Sequence, residues 1–424
     1  MKFICRPSRL SGAVEIPGSK SHTIRAVAIA SLATGSSRIE APLDSGDTRS
    51  AVRVFTALGA KIECGPDLWT VQGTDGELRA PYDVVDVGNS GTTLNVALGS
   101  AALLRQGMAV FTGDQQIRRR PSGPLVAALN DLGARAEATL GNGCPPLVVR
   151  GRLRGGTTSL ECRSSQYLTS LLINAPLADG DSVLRVPLLD EKPYVEMTLD
   201  WLARQGIRLE RDGWREFRVP GGQRYQAFRR RIPADFSSAT FFLCAGTLGD
   251  NDVIVHGLDL ADPQGDKAVL DYLRQMGARV DAVPEGIRVR PGRMQGCRLD
   301  LNATPDALPM MAVVACFAEG RTTLANVPQA RIKETDRIAT LRQELGRLGA
   351  RITELPDGLV VEPSRLTGAE VESHGDHRVA MALAVAGCCI PGETVVRDAE
   401  SAAVTFPTFA DCLGKLGANL RTME

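Results

Sequence analysis

The chain of 424 residues is 43% apolar, 23% charged and only 4% aromatic, long enough for two or three domains and too apolar to be disordered. Its 49 basic and 49 acidic side chains cancel, which argues against bulk electrostatic binding of nucleic acid. No uncharged apolar run reaches the ~18–20 residues of a membrane helix; the longest, around 307–318 and 381–390, read as buried core. The opening MKFICRPSRL has no apolar signal core, so a cytoplasmic protein is expected. Ten cysteines without CxxC pairs read as reduced thiols, and the four histidines (22, 256, 374 and 377) form no metal-ligand spacing.

Along the chain, one pattern recurs six times. LGAKIE at 58, LGARAE at 132, QGIRLE at 205, MGARVD at 276, LGARIT at 348 and LGANLR at 416 nearly tile the sequence. Each follows a helix-like stretch with apolar residues at i, i+3, i+4 and i+7, and its glycine predicts a helix stop before a new strand. Upstream of each helix lies a turn and a short alternating strand, as in ATGSSRIEAPL at 33–43 and ADGDSVLRVPLL at 178–189. Six such units suggest two lobes of three. The strand-to-helix loops diverge (DSGDTRS, DQQIRRRPSGP, DEKPYVE, ADPQGDKAV, PQARIKETDR, ESAAVTFPTF), as expected when loops at a common edge build one site.

Several segments suit anions. IPGSKSHTIR at 16–25 opens an apolar helix with Lys20 and Arg25 at its start, although it is not a P-loop. GNSGTT at 88–93 is a small-residue turn whose N–H groups could receive a phosphate or carboxylate. Arg118-Arg119-Arg120-Pro121, Arg163-Ser164-Ser165-Gln166-Tyr167, KETDR at 333–337 and GDHR at 375–378 add cations and donors at helix entries. Alone, each also reads as a capped helix, a tight turn packed on a sheet or a solvated patch, and for 16–25 and 118–121 that reading is favoured. Together, Arg120, Arg337 and Arg378 suit a multiply charged small anion held bidentately, while Lys20, Asp306 and Glu334 are acid–base candidates. No catalytic triad, nucleophile elbow or dinucleotide fingerprint is present.

These strings, in this order, resemble the 5-enolpyruvylshikimate-3-phosphate synthase family. The likeness rests on PGSKS…R at 17–25, GNSGTT, RP at 120–121, SSQ at 164–166, KPY at 192–194, D-SSA at 235–239, PDA at 305–307, KETDR, GDHR and FPTF at 406–409. It spans essentially the whole chain. It implies a two-lobed inside-out α/β barrel of six βαβαββ repeats, three per lobe. One lobe would be residues 1–18 with 229–424, the other 19–228, and the active site would lie in the interlobe cleft. The implied reaction moves the carboxyvinyl group of phosphoenolpyruvate to the 5-hydroxyl of shikimate 3-phosphate and releases phosphate, with no metal or organic cofactor. The two substrates are the expected partners, with no nucleic acid or membrane, and the chain is expected to be a monomer.

Carried over residue by residue, the resemblance implies that Lys20, Gly91, Arg120, Gln166, Arg337 and Arg378 bind phosphoenolpyruvate. Ser21 and Arg25 would grip the acceptor's carboxylate, with Ser164, Ser165 and Lys333 on its 3-phosphate and Gln166 and Tyr194 beside it. Asp306 would take the hydroxyl proton, and Glu334 or Lys20 would protonate the methylene. The chain departs from the family's pattern at Asn95, where an arginine is usual, at Val404, at His22-Thr23-Ile24 and at Glu191, where a serine is usual. A carboxylate and a phosphate about 4 Å apart repel by roughly 4 kcal/mol at an effective dielectric of 20, about a thousandfold in affinity. Glu191 therefore either turns away, towards Lys192 for example, or the acceptor lacks a phosphate there. That keeps a specialised carboxyvinyl transferase with an unphosphorylated cyclic alcohol as an alternative. The sister enzyme acting on UDP-N-acetylglucosamine fits less well, because Gln115-Gln116-Ile117 lacks its cysteine and Ser21 replaces its asparagine. A non-catalytic anion-binding scaffold would have lost Lys20, Asp306 or Glu334, and all three remain. Glyphosate, the family's inhibitor, would compete at the donor site, where Gly91 is permissive and Asn95 weakens the grip.

Overall fold

The computed structural model describes every residue from Met1 to Glu424. Its helices are α1 (Lys20–Leu32), α2 (Gly46–Ala57), α3 (Gly91–Ala101), α4 (Gly123–Asp131), α5 (Ser165–Asn174), α6 (Lys192–Arg204), α7 (Phe236–Ala245), α8 (Val269–Gln275), α9 (Leu308–Phe317), α10 (Arg337–Arg347), α11 (His377–Cys389) and α12 (Phe409–Lys415). They alternate in character. Odd-numbered helices are apolar nearly all round and buried: every residue of α7 and all of α9 except Phe317 are shielded. Even-numbered helices bury one stripe. In α10, Ile338, Leu341 and Leu345 face inward while Arg342, Gln343 and Arg347 face solvent. No helix is long and apolar enough to cross a membrane.

The recurring glycines stop the even-numbered helices as the pattern predicts. Gly59, Gly133, Gly206, Gly277, Gly349 and Gly417 all have φ between +68° and +114°, a conformation that costs residues with a Cβ. A strand follows each, from Lys61–Cys64 to Asn419–Met423.

Six four-stranded sheets share one pairing pattern, a parallel pair continued by two antiparallel pairings. Three are built from contiguous sequence, such as Arg298–Asp300, Thr322–Ala325, Gly358–Glu362 and Arg351–Leu355. The other three borrow a strand from far away. Arg229–Arg231 runs parallel to Ser36–Glu40, and Ser11–Glu15 parallel to Asp252–His256. Lys2–Arg6 lies antiparallel between Thr394–Arg397 and Asn419–Met423.

The chain divides into two compact units, Met1–Pro17 with Pro233–Glu424, and Gly18–Ile232. Each has its own hydrophobic core. The second crossing falls after Ile232, not near residue 228 as expected. The physical reason is strand pairing: Arg229–Arg231 adds to the sheet of Ser36–Glu40, and Ile232 donates its N–H to the Glu40 carbonyl and joins that core.

Backbones approach closely where sheets turn. A Cβ on Gly358 would lie 1.9 Å from the carbonyl oxygen of Leu324, a backbone atom of the paired strand that cannot swing aside. Gly358→Ala is expected to cost about 2 kcal/mol or more, read as a lower urea midpoint at unchanged m-value.

Candidate functional site

In the unit Gly18–Ile232, the three inner helices begin on serine caps. Ser19 accepts from His22 N, Ser90 from Thr93 N and Ser164 from Gln166 N. A neutral cap satisfies one first-turn amide and leaves the positive end of the helix available to an anion. The candidate residues cluster at these ends. Lys20, the first residue of α1, is held by Asp47 of α2 at 3.0 Å, and Asp47 Oδ1 is buried without a partner. At α3, the Arg120 guanidinium packs directly against Gly91: a Cβ there would come within 2.7 Å of Arg120 Cζ. The segment carrying Arg120 is pinned by Tyr167, whose hydroxyl donates to the Pro121 carbonyl at 2.6 Å. Burial pushes that phenol's pKa up, so it stays a donor.

Asn95, the neutral replacement for an expected arginine, joins these parts. Its Nδ2 donates to Gln166 Oε1 at 2.9 Å and to the Gly91 carbonyl at 3.0 Å, and its Oδ1 accepts from Ser122 at 2.9 Å. Gln166 Nε2 in turn donates to Thr92 Oγ1 at 3.1 Å. Gly91, Asn95 and Gln166 are thus one network, while the segment carrying Arg120 packs on its glycine.

Arg25 stands a turn into α1 and is 2% exposed. All of its hydrogen bonds go to neutral oxygens: Thr198 Oγ1 at 3.0 Å, the Ser21 carbonyl at 2.9 Å, the Tyr194 carbonyl at 2.8 Å and Thr169 Oγ1 at 3.4 Å. Desolvation without a carboxylate partner lowers its pKa to about 10. A buried, uncompensated guanidinium beside a helix N-terminus suits an anionic ligand. Next to it, Trp201 Nε1 donates to His22 Nδ1 at 2.9 Å, and Arg230 stacks on the Trp201 ring at 3.9 Å.

Glu191 precedes α6 in the left-handed region (φ 57°, ψ 39°) and is buried. Its Oε2 accepts from Ser165 N at 3.1 Å and Ser165 Oγ at 2.7 Å. The carboxylate therefore lies across the start of α5 and binds a residue expected to grip the acceptor's phosphate.

In the unit Met1–Pro17 with Pro233–Glu424, Arg337 is 1% exposed. Its Nε donates to Asp376 Oδ2 at 2.8 Å, NH1 to Asp306 Oδ1 at 2.7 Å and NH2 to Glu334 Oε2 at 2.7 Å. Burial alone would lower its pKa, yet Asp376, Glu334 and Asp306 raise it well above the usual value. The second oxygen of Asp306 pairs with Arg378 NH2 at 2.8 Å. Asp376 also caps α11, accepting from Arg378 N at 2.8 Å, and Asp336 caps α10. Arg337, Arg378, Asp306 and Glu334 are therefore one connected cluster; Arg120 belongs to the other unit. Lys333 follows the short turn Pro328–Ile332 in extended conformation.

Four partners of the candidate residues carry no motif of their own in the sequence. Asp47 lies in the loop DSGDTRS, and Asp376 sits within GDHR between two more conspicuous cations. Thr169 and Thr198 hold Arg25 from helices far along the chain. An acid at a helix N-cap or first turn was the available signal for the two aspartates.

Removing Asp376 would leave the Arg337 charge under-compensated in the interior. Asp376→Ala is expected to cost about 3 kcal/mol or more in stability by chemical denaturation. Arg25 is the opposite case. Its folded pKa lies below its unfolded value, so its charge opposes folding at neutral pH by about 3 kcal/mol. That penalty fades as pH rises past about 10. Arg25→Met is accordingly expected to melt at the same or a higher temperature at pH 7, measured by calorimetry without ligand.

Residues 4–413 match the family model described as EPSP synthase (3-phosphoshikimate 1-carboxyvinyltransferase). The chain is 52% identical over 419 residues to a 3-phosphoshikimate 1-carboxyvinyltransferase of Acetivibrio thermocellus, covering 99% of both chains. It is 44% identical to the Methanocella arvoryzae protein of that name, covering 96% of this chain and 97% of the relative. A solved EPSP synthase from Acinetobacter baumannii superposes with TM-score 0.82 at 26% identity, over 99% of this chain and 100% of the other.

Proposed function

The chain belongs to the EPSP synthase (3-phosphoshikimate 1-carboxyvinyltransferase) family, and from that premise we infer the reaction it catalyses. It transfers the carboxyvinyl group of phosphoenolpyruvate to the 5-hydroxyl of shikimate 3-phosphate and releases phosphate, a step of the shikimate pathway. Full-length 52% identity to a relative bearing that name is the observation that carries the conclusion. The reading takes the chain to act as a monomer in the cytoplasm.

The chemistry is addition followed by elimination through a tetrahedral ketal. Addition needs a base at the attacking hydroxyl, an acid at the methylene carbon and cations around the leaving phosphate. We assign Asp306 as the base and Glu334 or Lys20 as the acid. Phosphoenolpyruvate is taken to bind Lys20, Gly91, Arg120, Gln166, Arg337 and Arg378. Elimination then removes a methyl proton, re-forms the double bond and expels phosphate. The Asp306 bridge between Arg337 and Arg378 supports this reading, because it holds the base against two donor-binding cations.

For the acceptor, Ser21 and Arg25 are assigned to the carboxylate, and Ser164, Ser165 and Lys333 to the phosphate, with Gln166 and Tyr194 alongside. The uncompensated Arg25 guanidinium supports the first assignment.

The test is phosphate release from phosphoenolpyruvate, which should require shikimate 3-phosphate. Asp306→Asn and Glu334→Gln are each expected to lower kcat by about 10²–10⁴-fold. Release with phosphoenolpyruvate alone, or only with unphosphorylated shikimate, would contradict the reading.

A further inference from the structure

Glu191 occupies a position that ordinary folding forces disfavour. Its left-handed backbone is disfavoured for a residue with a Cβ, and its carboxylate is buried, with the residue 2% exposed. What holds it is Ser165, the first residue of α5. Both hydrogen-bond donors of Ser165, the amide and the hydroxyl, point to Glu191 Oε2. The sister helices α1 and α3 carry only neutral serine caps. In α5, unlike α1 and α3, a carboxylate also accepts directly from a first-turn amide. The same turn is tied to the anion-seeking Arg25: Tyr194 donates its N–H to the Glu191 carbonyl, and the Tyr194 carbonyl accepts from Arg25.

We infer that Glu191 is a specificity-determining residue, a resident anion that competes with the acceptor's phosphate for Ser165. The inference rests on the functional reading above, which assigns Ser165 to that phosphate. A dianionic group reaches Ser165 only by displacing the carboxylate or by lying against it, and both routes weaken binding. Unphosphorylated shikimate meets no such competitor. The wild-type chain therefore discriminates between shikimate 3-phosphate and shikimate less sharply than a variant without the charge.

The experiment is equilibrium titration of wild type, Glu191→Ser and Glu191→Gln with shikimate 3-phosphate and with shikimate, each paired with turnover in the presence of phosphoenolpyruvate. Glu191→Ser is expected to tighten shikimate 3-phosphate by about tenfold or more while shikimate changes by less than about twofold. Glu191→Gln keeps an acceptor oxygen for Ser165 but no charge, so it should fall between. It also keeps the question decidable if the serine variant does not fold. Parallel shifts for both ligands, or weaker binding of shikimate 3-phosphate in both variants, would overturn the inference while turnover left the functional reading intact. If no folded form binds or turns over shikimate 3-phosphate, the functional reading itself falls, and this inference with it.

Discussion

A single buried guanidinium organises one half of this molecule. Arg337 gathers carboxylates from three separate stretches of chain: Asp306 on the turn Pro305–Ala307, Glu334 before α10, and Asp376 at the cap of α11. Such a group is tolerated inside a protein only when its donors are met by well-aligned acceptors. The three loops are therefore held in mutual register by one charge. Asp306 and Arg378, proposed above as base and donor ligand, inherit that register. The arrangement places a proton acceptor on rigid supports at helix entries, where small displacements would be costly to the chemistry.

The other half works by a different electrostatic logic. The inner helices α1 and α3 are capped by serines, which carry no negative charge, so their partial positive charges remain for a ligand. Arg25 goes further, buried among neutral oxygens where desolvation disfavours its charge. A site that is destabilising when empty gains from being filled, which is the usual relation between function and stability. Asn95 shows how a lost cation can be absorbed: its amide links Gln166 to the start of α3 by hydrogen bonds alone.

Much of the fold was legible in the sequence because its signals are local. The glycine after each amphipathic helix marks a backbone conformation that few other residues adopt, and all six copies adopt it. The apolar runs at 307–318 and 381–390 were readable as interior by length and absence of charge, and they form α9 and α11. What could not be read was pairing at a distance. Nothing in Arg229–Arg231 announces a partner near residue 39, and a run of three arginines reads as surface. The site divides in the same way. Cations at helix entries were conspicuous, whereas Asp47 and Asp376 matter through contacts that spacing does not encode. Glu191 was noticed as an oddity, but its hold on Ser165 depends on a backbone twist that only coordinates reveal.

The borrowed strands also order events in time. Lys2–Arg6 is synthesised well before the strands it pairs with, Thr394–Arg397 and Asn419–Met423. Gly18–Ile232 can close as soon as Arg229–Arg231 is synthesised, because every strand it needs is then present. Lys2–Arg6 lacks both partners while Gly18–Ile232 condenses. It is short and carries Lys2 and Arg6 along with Phe3 and Ile4, charges of the kind that discourage premature pairing. Vectorial synthesis thus leaves the pairing of Lys2–Arg6 to a late closure across most of the chain.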